Sequence, residues 1–301
     1  MPQVRANGIN IEYETFGNPA HPPMLLIMGL GAQLLLWPEE FCEALADAGY
    51  YVIRYDNRDI GLSSKMEHAG RVKLMRSAMA SMLRLPVKAP YTLDDMARDA
   101  EGLLDALQIK RAHVVGASMG GMIAQILAAK HADRVQSFVC IMSTSGNPRL
   151  PGPSMKLRMR LVKRPPLLDR ESLISYSMET WRLIGSPDYP AETEFLRAKV
   201  ERSYDRSHYP QGLARQTLAI IASGSRVHLL HRITAPTLVI HGQEDPLVPV
   251  AAAHDLVKHI PHARLEIIPG MGHDMPPPVL RHMTRMILEH VGGSVPAAKS
   301  A

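Results

Sequence analysis

Gly116-Ala117-Ser118-Met119-Gly120 places a serine between small residues, after the apolar run "AHVVG" and before "GMIAQILAAKHA", which has a helical composition. A serine on a sharp strand-to-helix turn needs small flanks, and the following helix turns backbone N–H groups and its positive dipole end toward the hydroxyl. Such a serine is a weak nucleophile near neutral pH, so it requires an adjacent base held by an acid. Two downstream loops offer them. "LVIHGQEDPLVP" sets Asp245 just after a strand, and "LEIIPGMGHDMPP" sets His273 in a glycine-rich loop after the last strand. The order Ser118, Asp245, His273 is the order expected for this strand–turn–helix architecture. Glu244 is the alternative acid, and Asp274 beside His273 is read as pointing elsewhere. His254, His259 and His262 are too irregularly spaced to gather round a metal ion in the manner of two histidines one helical turn apart, so no metal site and no cofactor are expected.

The elements that must carry these residues alternate. "VRANGINIEYETFG" has Asn7-Gly8 between alternating segments, a type I′ hairpin signal. Apolar runs at "MLLIMG", "YYVIRYD", "AHVVGAS", "VQSFVCIM", "PTLVIHG" and "RLEIIPG" are separated by helical patterns such as "PEEFCEALADAG" and "LDDMARDAEGLLDAL". That alternation predicts an α/β protein with a mostly parallel sheet and helices on both faces. The rhythm breaks from about Asn147 to Arg232, where helical patterns run on without strands. The expected organisation is therefore a core of residues 1–146 and 233–291, a helical cap of 147–232, and a flexible tail of 292–301. A shorter interruption, Ser63 to Tyr91, puts Val72, Met75, Met79, Met82 and Leu83 on one helical stripe.

The 301 residues carry a net charge of +5, and the basic clusters "MKLRMRLVKR" and "KMEHAGRVKLMR" lack the interleaved aromatics of a single-strand binder. They read as solvated faces, with no nucleic-acid partner. No apolar run is long enough for an integral membrane segment, no secretory signal is visible, and Cys42 and Cys140 are too few for a disulfide framework. A cytoplasmic protein is expected, for which a homodimer stays open.

The elbow, the acid loop, the histidine loop and "YDNRDIGLSS", in this order, resemble the α/β-hydrolase family. "WPEEF", "VIRYDNRDIGLSS", "AHVVGASMGGMIAQ" and "IPGMGHDMP" resemble, within it, the esterases typified by aclacinomycin methylesterase. The resemblance implies the α/β-hydrolase fold, a mostly parallel eight-stranded sheet flanked by helices with an inserted helical cap. It also implies that the backbone N–H groups of Leu30 and Met119 bind the oxyanion. Gly29 and Gly31 would let that loop approach a substrate closely. Met28-Gly29 stands where many relatives have His-Gly, and Asp59 replaces the usual first glycine of the "YDNRDIGLSS" segment. Asp56 and Arg58 are expected to form a structural ion pair. The predicted function is a serine carboxylesterase acting on small-to-medium apolar esters, with Met28, Gly29, Trp37 and Met178 lining the pocket. Met75, Met79, Met82, Met155, Met159 and Met178 are candidates for a deformable apolar lining. The same triad would serve a cofactor-free perhydrolase, a lactonase or a C–C bond hydrolase, and a ligand-binding protein with slow turnover is the reading from another class.

Overall fold

The computed structural model describes residues 2–70, 72, 74, 77, 79–80, 83, 85–162 and 167–293. Met75, Met82 and residues 294–301 of the expected tail lie outside the described residues.

One eight-stranded sheet has the order β1-β2-β4-β3-β5-β6-β7-β8. β1 (Gln3–Ala6) and β2 (Ile9–Phe16) form the hairpin: Ala6 pairs with Ile9, and Asn7 and Gly8 both take positive φ, 45° and 79°, as a type I′ turn demands. β2 joins β4 (Tyr51–Tyr55) antiparallel. From β4 onward the pairing is parallel, through β3 (Pro23–Ile27), β5 (Ala112–Ala117), β6 (Val135–Ile141), β7 (Thr237–Gly242) and β8 (Arg264–Ile268).

The inner strands are mostly apolar because both faces are covered. Leu25 and Ile27 of β3 face a core shared with α2 (Leu93–Ala106), α3 (Met119–Lys130) and α9 (Ala251–His259). Met24 and Leu26 face the opposite core, shared with α1 (Glu39–Asp47) and α10 (Pro277–Gly292). The period-two alternation of a strand thus feeds two layers at once. Between β6 and β7 the chain forms α4 (Met155–Val162), α5 (Arg170–Ile184), α6 (Thr193–Arg206), α7 (Pro210–Ser223) and the single turn α8 (Val227–Leu230). Ile174, Met178, Leu196 and Val200 knit α5 to α6 in a small core of their own. Among the described residues, no helix is long and apolar enough to cross a membrane, and no His/Cys/Asp/Glu group is arranged to hold a metal ion.

His113 of β5 is buried, with Nδ1 2.7 Å from Ser137 Oγ. Burial disfavours the imidazolium and pushes its pKa from 6.5 down to about 4. The unfolded chain therefore binds an extra proton at pH values between these two. The stabilisation from keeping His113 neutral is full above the unfolded value and is lost as pH falls toward the folded one, on the order of 3 kcal/mol in all. The melting midpoint is expected to drop between pH 7 and 4.5, and less steeply in His113→Phe. Parallel slopes in thermal melts of the two proteins would refute this.

Candidate active site

β5 ends at Ala117, and Ser118 caps α3 in a conformation unusual for a side-chain-bearing residue, φ 54° and ψ −118°. Three contacts hold this strained turn. The Ser118 N–H donates to Ile141 O at 2.9 Å, Met122 N–H donates to Ser118 O at 3.2 Å, and Ser143 Oγ donates to Ser118 O at 2.7 Å. The small flanks are a steric requirement: a Cβ on Gly116 would lie 2.5 Å from Gly120 O, and one on Gly120 would strike the Ile27 carbonyl.

The loop after β8 brings His273 to the serine, its Nε2 3.0 Å from Ser118 Oγ. On the other side of the ring, Nδ1 lies 2.6 Å from Asp245 Oδ2. Asp245 and His273 are both buried, and the serine is partly exposed. Asp245 is itself fixed, because its Oδ1 accepts from Leu247 N at 2.9 Å and Val248 N at 2.8 Å. Glu244 is exposed. Asp274 turns the other way and accepts from Ser186 Oγ, whose oxygen in turn accepts from Gly272 N at 2.9 Å. His273 N donates to Ile184 O at 2.6 Å, so the end of α5 grips the histidine loop. Burial raises the pKa of Asp274 and lowers that of Lys199, whose ammonium sits 4.2 Å above the Trp181 ring.

After β3, residues 29–32 make a tight turn in which Ala32 N donates to Gly29 O at 3.3 Å and Gly31 has φ 69°. That conformation favours glycine at the third position of a type II turn. Gly29 lies against Ser118: a Cβ there would be 3.0 Å from Ser118 Cβ. Leu30 is 37% exposed, and Met119 is buried as the first residue of α3. Within the described residues, neither N–H donates a hydrogen bond to the protein. These are two orphan donors flanking Ser118, one from a turn and one from a helix start.

The other residues expected at the pocket, Met28, Trp37 and Met178, are buried. Trp37 is wholly buried and stacks on Phe41 with ring centroids 5.5 Å apart, so it has no surface left for a ligand. The 3₁₀ turn Leu34–Leu36 folds it back onto α1. Met28 is buried in the same layer, and Met178 belongs to the small core between α5 and α6. Met79, Met155 and Met159 are exposed.

Asp56 and Arg58 do not pair with each other. Asp56 Oδ1 accepts from Leu34 N at 2.8 Å, and its Oδ2 lies 2.6 Å from Arg206 Nη1. Arg58 instead forms a two-pronged pair with Asp99, at 2.5 and 2.6 Å. The two side chains diverge, Asp56 toward Leu34 and α6 and Arg58 toward α2. Asp59 adopts φ 70°, the left-handed region a glycine would enter freely, and its buried carboxylate meets both Nε and Nη2 of buried Arg215 at 2.8 Å. Sequence reasoning missed Asn57, Arg215 and Gln216. All three are buried polar side chains, and no local spacing singles them out.

A family model described as alpha/beta hydrolase fold matches residues 22–276. Rhodomycin D methylesterase DauP of a Streptomyces species is 32% identical over 306 residues, covering 95% of this chain and 96% of that protein. The 3-oxoadipate enol-lactonase 2 of Acinetobacter baylyi is 28% identical and covers 88% of this chain and 87% of its own. Among solved structures, the enol-lactonase from Burkholderia xenovorans LB400 superposes with a TM-score of 0.75 at 24% identity, covering 97% of this chain and 100% of that one.

Proposed function

The chain belongs to the α/β-hydrolase fold family, and from that premise we propose that it is a serine carboxylesterase acting through an acyl-enzyme. The observation that carries the reading is the relay from Ser118 Oγ through His273 to Asp245, with links of 3.0 and 2.6 Å. Ser118 Oγ attacks the ester carbonyl carbon while His273 Nε2 takes its proton. The carbonyl π pair moves onto oxygen, where the N–H groups of Leu30 and Met119 stabilise it, each worth roughly 3 kcal/mol in such a setting. Collapse restores the carbonyl, and the alcohol leaves with the proton from His273. Water, deprotonated by the same ring, then releases the carboxylic acid. Asp245 keeps Nδ1 protonated so that Nε2 stays free to accept.

The substrate in this reading is a small-to-medium apolar carboxylic ester. The apolar rim supports it: Leu213 of α7 is 43% exposed, and its Cδ1 would be 2.6 Å from a Cβ on Gly31, next to exposed Leu30. Relatives named methylesterases favour a small alcohol part. Residues 147–232 act as the cap over the site, and the enzyme works in the cytoplasm. Lactones form a second class, favoured by the enol-lactonase relatives. A panel varying acyl and alcohol parts separately, with unsubstituted lactones alongside, is expected to give the highest kcat/KM on apolar acyl methyl or p-nitrophenyl esters. Strict selectivity for one charged ester, or turnover of lactones alone, would overturn the substrate assignment.

A further inference from the structure

The peptide unit between Gly29 and Leu30 supplies the Leu30 N–H, and the units on either side of it are both pinned by buried side-chain amides. On the near side, the Met28 carbonyl accepts from Asn57 Nδ2 at 2.9 Å. On the far side, the Gly31 N–H donates to Gln216 Oε1, also at 2.9 Å. Gln216 Nε2 donates in turn to Arg58 O at 2.9 Å, so the amide is satisfied at both ends and held against rotation. The Gln216 side chain is wholly buried. Its neighbour Arg215 ties α7 to the core loop through Asp59 and Gly70 O at 3.0 Å, and is itself held by Tyr209 OH, at the start of α7, at 2.7 Å. α7 packs closely on that loop at Gly212, where a Cβ would strike the Asp59 carbonyl.

Fixing the Gly31 N–H fixes the plane of the Leu30–Gly31 peptide, and the Met28 contact fixes the plane before Gly29. Only the dihedrals at Gly29 and Leu30 then remain to set where the intervening N–H points, and the Ala32-to-Gly29 bond closes those. A donor aimed before the reaction costs no reorganisation when charge appears on the substrate oxygen. We propose that Gln216, on a helix inserted between β6 and β7, is a positioning residue that aims the Leu30 N–H at the oxyanion. This rests on the serine-esterase reading. It also makes α7 part of the charge-stabilising apparatus, besides contributing the apolar rim.

The test compares Gln216→Met, which keeps length and loses the acceptor, with Gln216→Asn, which withdraws the acceptor from Gly31. Leu196→Ala, in the small core between α5 and α6, serves as a control for loss of stability alone. Each protein is assayed on a p-nitrophenyl acyl ester and against an alkyl trifluoromethyl ketone. That inhibitor adds Ser118 Oγ to its carbonyl carbon and places the resulting oxyanion where the ester's would be. The Met and Asn variants are expected to lose roughly 10- to 100-fold in kcat, with KM changed by less than about 2-fold. Their inhibition constants should rise in proportion to the loss in kcat/KM. Leu196→Ala should lower the melting midpoint without moving the inhibition constant. An unchanged kcat in the Met or Asn variant that folds, or a loss of kcat with an unchanged inhibition constant, would overturn the positioning role. A parent enzyme that ignores the ketone and hydrolyses esters equally well as Ser118→Ala would instead overturn the esterase reading beneath it.

Discussion

Ser118→Ala is expected to lower kcat on p-nitrophenyl acyl esters by about a million-fold and to abolish fluorophosphonate labelling, with the fold intact. The substitution removes one oxygen atom from a turn whose backbone is held by other groups. Ile141 O, Met122 N and Ser143 Oγ all bond the Ser118 main chain, and none depends on its side chain. Alanine must still take φ 54°, as serine does, so the strain of the turn is common to both proteins. What disappears is the atom 3.0 Å from His273 Nε2 that would form the covalent bond in the proposed mechanism. The orphan N–H groups would still bind a polarised carbonyl, and they account for any residual rate above that of water. Steady-state kinetics and the circular dichroism spectrum check the two halves of the expectation. Loss of activity with loss of structure would not satisfy it, and retained labelling would contradict it.

Asp245→Asn carries the next largest effect, about 10⁴-fold in kcat with little change in KM. The reason lies in the acid loop. Leu247 N and Val248 N both donate to Asp245 Oδ1, so an asparagine in its place keeps its oxygen on that side and turns its NH₂ toward His273 Nδ1. A donor there forces the ring to carry its proton on Nε2, facing Ser118, where it cannot accept the serine proton. The reverse orientation would set an NH₂ against two N–H donors and leave both unpaired in a buried site. A loss below 10-fold, measured at saturating ester, would show that Asp245 does not fix the tautomer.

Much of this arrangement is legible in the chain because the signals are local. Ser118, Asp245 and His273 each follow an apolar strand within a few residues, and glycines mark the turns that carry them. The six apolar runs and the Asn7-Gly8 hairpin correspond to the eight strands, since period-two burial and turn chemistry act over short distances. The type II turn at Gly31 follows from the same logic. Pairings set by tertiary proximity leave no such mark. Asp56 meets Arg206 across 150 residues of sequence, and Gly31 meets Gln216 across 185. The Asp56–Arg58 pair implied by the family resemblance is replaced by two long-range pairs, Asp56 with Arg206 and Arg58 with Asp99. Trp37 and Met178 illustrate a related limit. Large apolar residues near a site have the same composition whether they line it or fill the core behind it, and only packing decides.

Treating the protein with a fluorophosphonate ester, following activity against time, and mapping the modified peptide by mass spectrometry tests whether Ser118 is the nucleophile of an acyl-transfer site. The expected result is one phosphonyl group per chain, on Ser118, gained in step with the loss of ester hydrolysis and absent from Ser118→Ala. Full inactivation with the label on another residue, or full activity with Ser118 completely labelled, would contradict that role.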